Sequence, residues 1–196
     1  EIDDYFVRRM VKEIGCSVIA VDYRLAPENR FPAALDDAYS VLKWLFQSTS
    51  ALSIDAARIA VGGISAGAGL AAGVALAARD RGEFELVFQS LWCPMLDDRN
   101  NSVSSYSVND PRVWSRSDNV CAWRAYLGEE VGGEETSPYA APGRAKDLSG
   151  LPPVYMRVGS QDLFLDEDTA YAERLIAAGV ATDFAVIQGA FHAFEM

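Results

Sequence analysis

The chain has 196 residues, half of them apolar and 23% charged, with a formal net charge of −11 at pH 7. A soluble globular protein has this balance, and the length fits one domain spanning residues 1–196 with a sizeable core. The acidity and the lack of a Lys/Arg cluster exclude nucleic acid as partner. No apolar run reaches the ~20 residues of a membrane helix, and no signal-peptide pattern opens the chain.

Strand-like and helix-like patterns alternate from residue 17 onward. Residues 1–15 read as the middle of a larger pattern, and Met196 follows a loop. Residues 17–23 are a short run rich in β-branched side chains (Val18, Ile19, Val21), the pattern of a buried strand. Over 33–47, Leu35, Ala38, Leu42 and Leu45 recur at spacings of three and four, which predicts an amphipathic helix entered after Pro32. Residues 58–62 predict the next strand. The run 66–81, built of Ala, Gly, Leu and Val and almost without polar side chains before Arg79, predicts a buried helix lying close to a sheet.

Further strands are expected at 86–93, at 154–158 after the Leu151-Pro-Pro153 breaker, and at 183–187. A helix over 168–178 is stopped by Gly179. Strands alternating with helices imply βαβ units, hence an α/β fold with a mostly parallel sheet covered by helices on both faces. Residues 97–150 break this rhythm and read as an insertion with a helix near 113–127. The three cysteines, Cys16, Cys93 and Cys121, cannot all pair and lack metal-ligand spacing. Cys16 and Cys93 lie in or beside apolar runs, as small hydrophobes do. No metal or cofactor is expected, and unpaired thiols favour a reducing compartment, the cytoplasm.

Gly63-Ile64-Ser65-Ala66-Gly67 matches G-x-S-x-G, between the 58–62 strand and the 66–81 helix. That strand–turn–helix setting lifts a serine hydroxyl clear of the sheet, in a turn with room beside it only for Gly or Ala. The Ala66 N–H, at a helix N-terminus, is placed to donate to an oxyanion. A serine needs a base, and His192 is the chain's one histidine, in the loop after the last strand. The base needs an acid to orient it. Asp162 follows the 154–158 strand by a short loop and is the preferred candidate. Asp166, Glu167 and Asp168 compete, although the helix dipole alone favours acids at the start of the next helix. The order Ser65, Asp162, His192 is that of α/β-hydrolases.

Several stretches together resemble the hormone-sensitive-lipase-like esterases, a branch of the α/β-hydrolases. They are Val21-Asp-Tyr-Arg-Leu-Ala-Pro-Glu28, Phe31-Pro-Ala-Ala-Leu-Asp-Asp-Ala38, the Ser65 turn, Pro94-Met-Leu-Asp-Asp-Arg99, Leu151-Pro-Pro153, Asp162-Leu-Phe-Leu-Asp-Glu167 and the His192 loop. The resemblance implies hydrolysis of short- to medium-chain carboxylic esters through an acyl-enzyme, without a cofactor. The partner it implies is a small-molecule ester, and a homodimer is compatible with it. It makes Arg24 and Glu28 architectural. The alternatives are an amidase or peptidase with the same triad and a non-catalytic receptor on the same scaffold. Receptors of that kind, the plant gibberellin receptors among them, lack the histidine.

Two departures stand out. The family usually has Asp or Thr where this chain has Ile64, and its His-Gly-Gly-Gly loop, which supplies the other oxyanion donors, is absent from these residues. The resemblance places that loop, the first strands and much of a cap before Glu1, and a closing helix after Met196. It also places an upstream strand between strands 17–23 and 58–62, so a gap beside 17–23, or another segment filling it, is expected.

Overall fold

In a computed structural model of the chain, residues 2–108 and 112–195 are described. Four strands form one sheet in the order β1 (Ala60–Ile64), β2 (Phe88–Trp92), β3 (Val154–Gln161), β4 (Thr182–Phe191), and every pair is parallel. Helices α1 (Ile2–Ile14), α2 (Ala33–Gln47), α3 (Thr49–Leu52), α4 (Ala66–Arg81), α5 (Val103–Ser107), α6 (Arg116–Leu127) and α7 (Leu165–Ala177) intervene.

The chemistry of α4 decides how the sheet is covered. Residues 68–78 of this helix are buried except at Leu70. A Cβ on Gly69 would run into the Met95 carbonyl, and one on Gly73 into the Tyr139 carbonyl, so glycine sets how closely backbones approach. With α7, this helix covers one face of the sheet. Leu91 of β2 and Val154 and Met156 of β3 point there, packing with Leu76, Tyr171 and Leu175. The period of two puts Trp92, Tyr155 and Arg157 on the other face. There, the Phe6 ring of α1 stands edge-on to Trp92 at 5.7 Å between centroids.

The segment 97–150 lies between β2 and β3 and contains α5 and α6 in its described part. The Ser115 hydroxyl caps α6 by accepting from the Asp118 N–H, and the Asp118 carboxylate accepts the Ser115 N–H in return. The segment is closed by a buried ion pair between Arg144 and Asp98, whose carboxylate also accepts from the Gly132 N–H and the Thr136 hydroxyl.

One expectation fails. Residues 17–23 form no strand, and Val18 and Ile19 are about two-fifths exposed. An apolar run becomes a strand only where a neighbouring edge takes its N–H and C=O groups. Among the described residues no strand pairs with the outer edge of β1. Strand limits also move: 58–62 becomes 60–64 after a 3₁₀ turn at Ala56–Arg58, and β3 and β4 extend to residues 161 and 191.

Candidate active site

Parallel strands deliver their loops to one end, and the site lies there. At the end of β1 the chain turns directly into α4 through Ser65, with φ 55° and ψ −120°. This non-glycine backbone in positive-φ territory is held in place by bonds on both sides. The Ser65 N–H donates to Trp92 O at 2.8 Å, and its carbonyl accepts from Met95 N–H at 3.1 Å. A Cβ on Gly63 would meet the backbone of Gly67 and Ala68, so that position admits only glycine. A Cβ on Gly67 meets nothing within 4 Å, so the crowding is one-sided, contrary to the sequence expectation. Ala66 opens α4 and is exposed, where the first helical N–H groups lack intrahelical partners.

The loop after β3 holds Asp162, which is fully buried. Its Oδ1 accepts the Phe164 N–H at 3.0 Å, and its N–H donates to Gly159 O at 3.1 Å. The loop after β4 holds His192, whose Nδ1 is 2.8 Å from Asp162 Oδ2 and whose Nε2 is 2.8 Å from Ser65 Oγ. Three residues spread over 127 positions of the sequence thus form one line of hydrogen bonds. The ring of His192 is set by Phe164, edge-on at 5.1 Å, and by Trp114 at 6.1 Å.

The competing acids have other partners. Asp166 accepts from the Ser104 N–H at 2.7 Å, while the Ser104 hydroxyl donates to Leu163 O at 2.8 Å, tying the acid loop to α5. Glu167 Oε1 accepts from the Leu96 and Asp97 N–H groups, at 2.8 and 3.2 Å. Asp168 is fully buried, and neither of its oxygens is hydrogen-bonded among the described residues. Burial raises the pKa of Glu167 and Asp168 well above the carboxylate range, and nearby carboxylates add to it. Of the residues singled out from the family likeness, Arg24 pairs with Asp37 on the surface, away from this centre.

Sequence reasoning missed Cys93, Glu195, Ser104, Trp114 and Phe164 as neighbours of the site. The first two flank His192 because the loops after β2 and β4 leave the same end of the parallel sheet. Ser65, Cys93 and Ala193 are three of the five described non-glycine residues with positive φ, so backbone strain marks the site. A cleft of about 490 Å³ opens over Ser65 and His192, lined by Ile64, Val113, Phe191, Ala193 and Arg112. The volume suits a small molecule. Its walls are mainly apolar, and Ile64 puts an aliphatic side chain beside the nucleophilic position.

A family profile described as alpha/beta hydrolase fold matches residues 1–196. Carboxylesterase NlhH of Mycobacterium tuberculosis (strain ATCC 25618 / H37Rv) is 42% identical over 173 residues, covering 85% of this chain and 52% of that protein. Esterase LipI of the same strain is 36% identical over 178 residues, covering 90% and 55%. The solved structure titled Bacterial Heroin Esterase superposes with a TM-score of 0.95 at 43% identity, covering 98% of this chain and 62% of that one. The chain spans about half the length of these curated relatives. Fold and alignment agree on the class, a parallel-sheet α/β-hydrolase. Within it, the chain belongs to the hormone-sensitive-lipase-like family.

Proposed function

We propose that this protein hydrolyses small-molecule carboxylic esters with short- to medium-chain acyl groups, through an acyl-enzyme on Ser65. The observation that carries the reading is the Ser65–His192–Asp162 line, with both hydrogen bonds at 2.8 Å. The names of the relatives, esterase and carboxylesterase, support the substrate class. His192 Nε2 takes the Ser65 proton as Oγ attacks the ester carbonyl, and ionised Asp162 stabilises the imidazolium and fixes its tautomer. The Ala66 N–H donates to the oxyanion, and the α4 N-terminus favours the charge. His192 then returns the proton to the leaving alcohol, and water cleaves the acyl-enzyme with His192 again as base.

The apolar cleft walls favour an aliphatic acyl group, and Arg112 offers a polar boundary at the mouth. No described helix is long and apolar enough to cross a membrane. The three free cysteines support a reducing compartment such as the cytoplasm. The test is labelling of the intact protein with a fluorophosphonate, mapped by mass spectrometry, beside turnover of a p-nitrophenyl ester and the matching anilide. Label on Ser65 alone, with the ester much faster than the anilide, is expected. Label elsewhere with Ser65 untouched removes the nucleophile assignment, and anilide turnover matching the ester's removes the substrate class.

A further inference from the structure

Beside the Ser65–His192–Asp162 line the structure gathers further ionisable groups, two of which have buried oxygens with no hydrogen-bond partner among the described residues. Cys93, directly after β2, has no exposed surface. Its Sγ, a carboxylate oxygen of Asp162 and a ring nitrogen of His192 all lie within 4.8 Å of one another. Glu195 Oε1 is 3.6 Å from the same sulfur, and Glu195 Oε2 is buried without a hydrogen-bond partner among the described residues. Asp168 adds a fully buried carboxylate, likewise unpartnered. Burial, followed by the charges of Glu195, Asp162 and Asp168, pushes the Cys93 thiol far above its ordinary range. Of these causes burial opposes any charge, and the neighbouring carboxylates are what favour a cation.

We propose that Cys93, Asp162, His192 and Glu195 form a binding site for a zinc-class divalent cation, and that its occupation switches the active centre off. A thiol and an imidazole select zinc over magnesium or calcium, which take oxygen ligands. Four-coordinate zinc takes sulfur at ~2.3 Å and nitrogen or oxygen at ~2.0–2.2 Å, so its donors lie roughly 3.3–3.8 Å apart. The donors here lie near that spacing. Among Cys93, Asp162 and His192 the 2.8 Å pair of Asp162 and His192 widens by about half an ångström, and the sulfur pairs close by at most about 1–1.5 Å. Glu195 is already 3.6 Å from the sulfur but outside that group, so its carboxylate turns to reach the ion.

The proton balance gives the inhibition. Neutral His192 facing ionised Asp162 carries its proton on Nδ1. The ion bonds to Cys93 Sγ and to His192 Nδ1; the thiol proton leaves to solvent, and the Nδ1 proton moves to Nε2. One proton is released per ion, and no oxidant or reductant takes part. With Nε2 protonated, His192 donates to Ser65 Oγ where it had accepted, and the base is lost. The inhibition rests on the function proposed above; the binding does not.

The test uses the intact protein carrying Cys16→Ser and Cys121→Ser, which removes the other two thiols. Cadmium is titrated in while the ultraviolet thiolate-to-cadmium band is followed, and zinc and magnesium are assayed against p-nitrophenyl ester turnover. The expected result is one band saturating at one ion per chain and lost in a further Cys93→Ser variant. Zinc inhibition disappears with it, and magnesium has no effect. Glu195→Gln keeps the thiol and raises the zinc concentration for half-inhibition at least ~10-fold, which decides the matter even where Cys93→Ser does not fold. Absence of the cadmium band, or zinc inhibition unchanged by Glu195→Gln, overturns the proposal. Should the protein turn over no ester, the functional reading fails while the cadmium band still decides the metal site.

Discussion

Residues 17–23 and residues 59–64 are two short apolar runs of the same kind, and their fates differ. Ile59 is buried, β1 is laddered along its length to β2, and α4 lies across it. Val18 and Ile19 stand about two-fifths exposed with no ladder. Composition alone does not separate the two. What separates them is whether a neighbouring edge and a covering helix are present to take up backbone hydrogen bonds and apolar surface. The chemistry follows the same division. Ser65, Asp162 and His192 all hang from the laddered strands, and none of the site's described neighbours comes from residues 17–23.

The largest expected effects lie at the ends of the laddered strands. In the intact protein, Ser65→Ala, His192→Ala and Asp162→Asn are each expected to lower kcat for a p-nitrophenyl ester by roughly 10⁴–10⁶. Asp166→Asn should keep activity within about tenfold, since Asp166 holds the Ser104 N–H and not the histidine. Steady-state kinetics of the four variants check this. Near-full activity in Asp162→Asn together with loss in Asp166→Asn would assign the acid to the wrong loop residue.

Next in size is a purely structural cut within the ladder. Leu91 is fully buried, sits in register between Gly63 of β1 and Met156 of β3, and packs under α4. Leu91→Ala is expected to cost ~2–5 kcal/mol in urea unfolding, by lost burial and the cavity left behind. A cost below ~1 kcal/mol would mean the sheet is not the stabilising unit described here.

The same contrast explains how much could be read in advance. The bounds of α2 and α4 agree with the sequence pattern, because a 3.6 period and an uninterrupted small-residue run are local signals. Ser65 announces itself through two flanking glycines, and His192 by being alone. Asp162 was separable from its acidic neighbours only by its place before α7. Residues 17–23 misled because strand formation depends on a partner. Cys93 and Glu195 stayed invisible because 102 positions separate side chains that meet only when β2 and β4 are aligned. Ser104 was hidden for the same reason, since its hold on the acid loop crosses 59 and 62 positions.

A smaller effect tests the charge stored under the site. Asp168 is buried without a hydrogen-bond partner among the described residues, and its pKa is raised well above the ordinary value, first by burial and then by Glu167 and Asp162. A carboxyl that binds its proton more tightly folded than unfolded contributes most at low pH. That contribution is lost as pH rises from the unfolded pKa, ~4, through the raised folded one. Asp168→Asn removes the titration, so the variant should gain on wild type between pH 4 and pH 8. At pH 8 a rise in Tm of roughly 2–4 °C is expected, equivalent to about 1 kcal/mol for a chain of this size. Glu167, shifted the same way, keeps part of the pH dependence in both proteins. A gain that is larger at pH 4 than at pH 8 would reverse the sign and place Asp168 in a favourable charged pairing.

The smallest effect is expected where the apolar run has no ladder. In a polypeptide of these 196 residues, Ile19→Thr removes an aliphatic group already about two-fifths exposed and breaks no strand hydrogen bond. Changes at such positions stay within about 0.5 kcal/mol. The same substitution inside β1 or β2 would sacrifice buried surface and leave a hydroxyl in the core, at a cost of ~1–3 kcal/mol. Amide exchange gives an independent reading, because protection follows the free energy of opening a hydrogen bond. The amides of residues 18–22 should exchange near the rate of an open chain, while those of β2 and β3 exchange only on global unfolding. Slow exchange at 18–22, together with a cost of ~1–3 kcal/mol for Ile19→Thr, would show that the run finds a ladder in solution. The two apolar runs would then be alike after all, and the open edge of β1 is where a partner strand would have to lie.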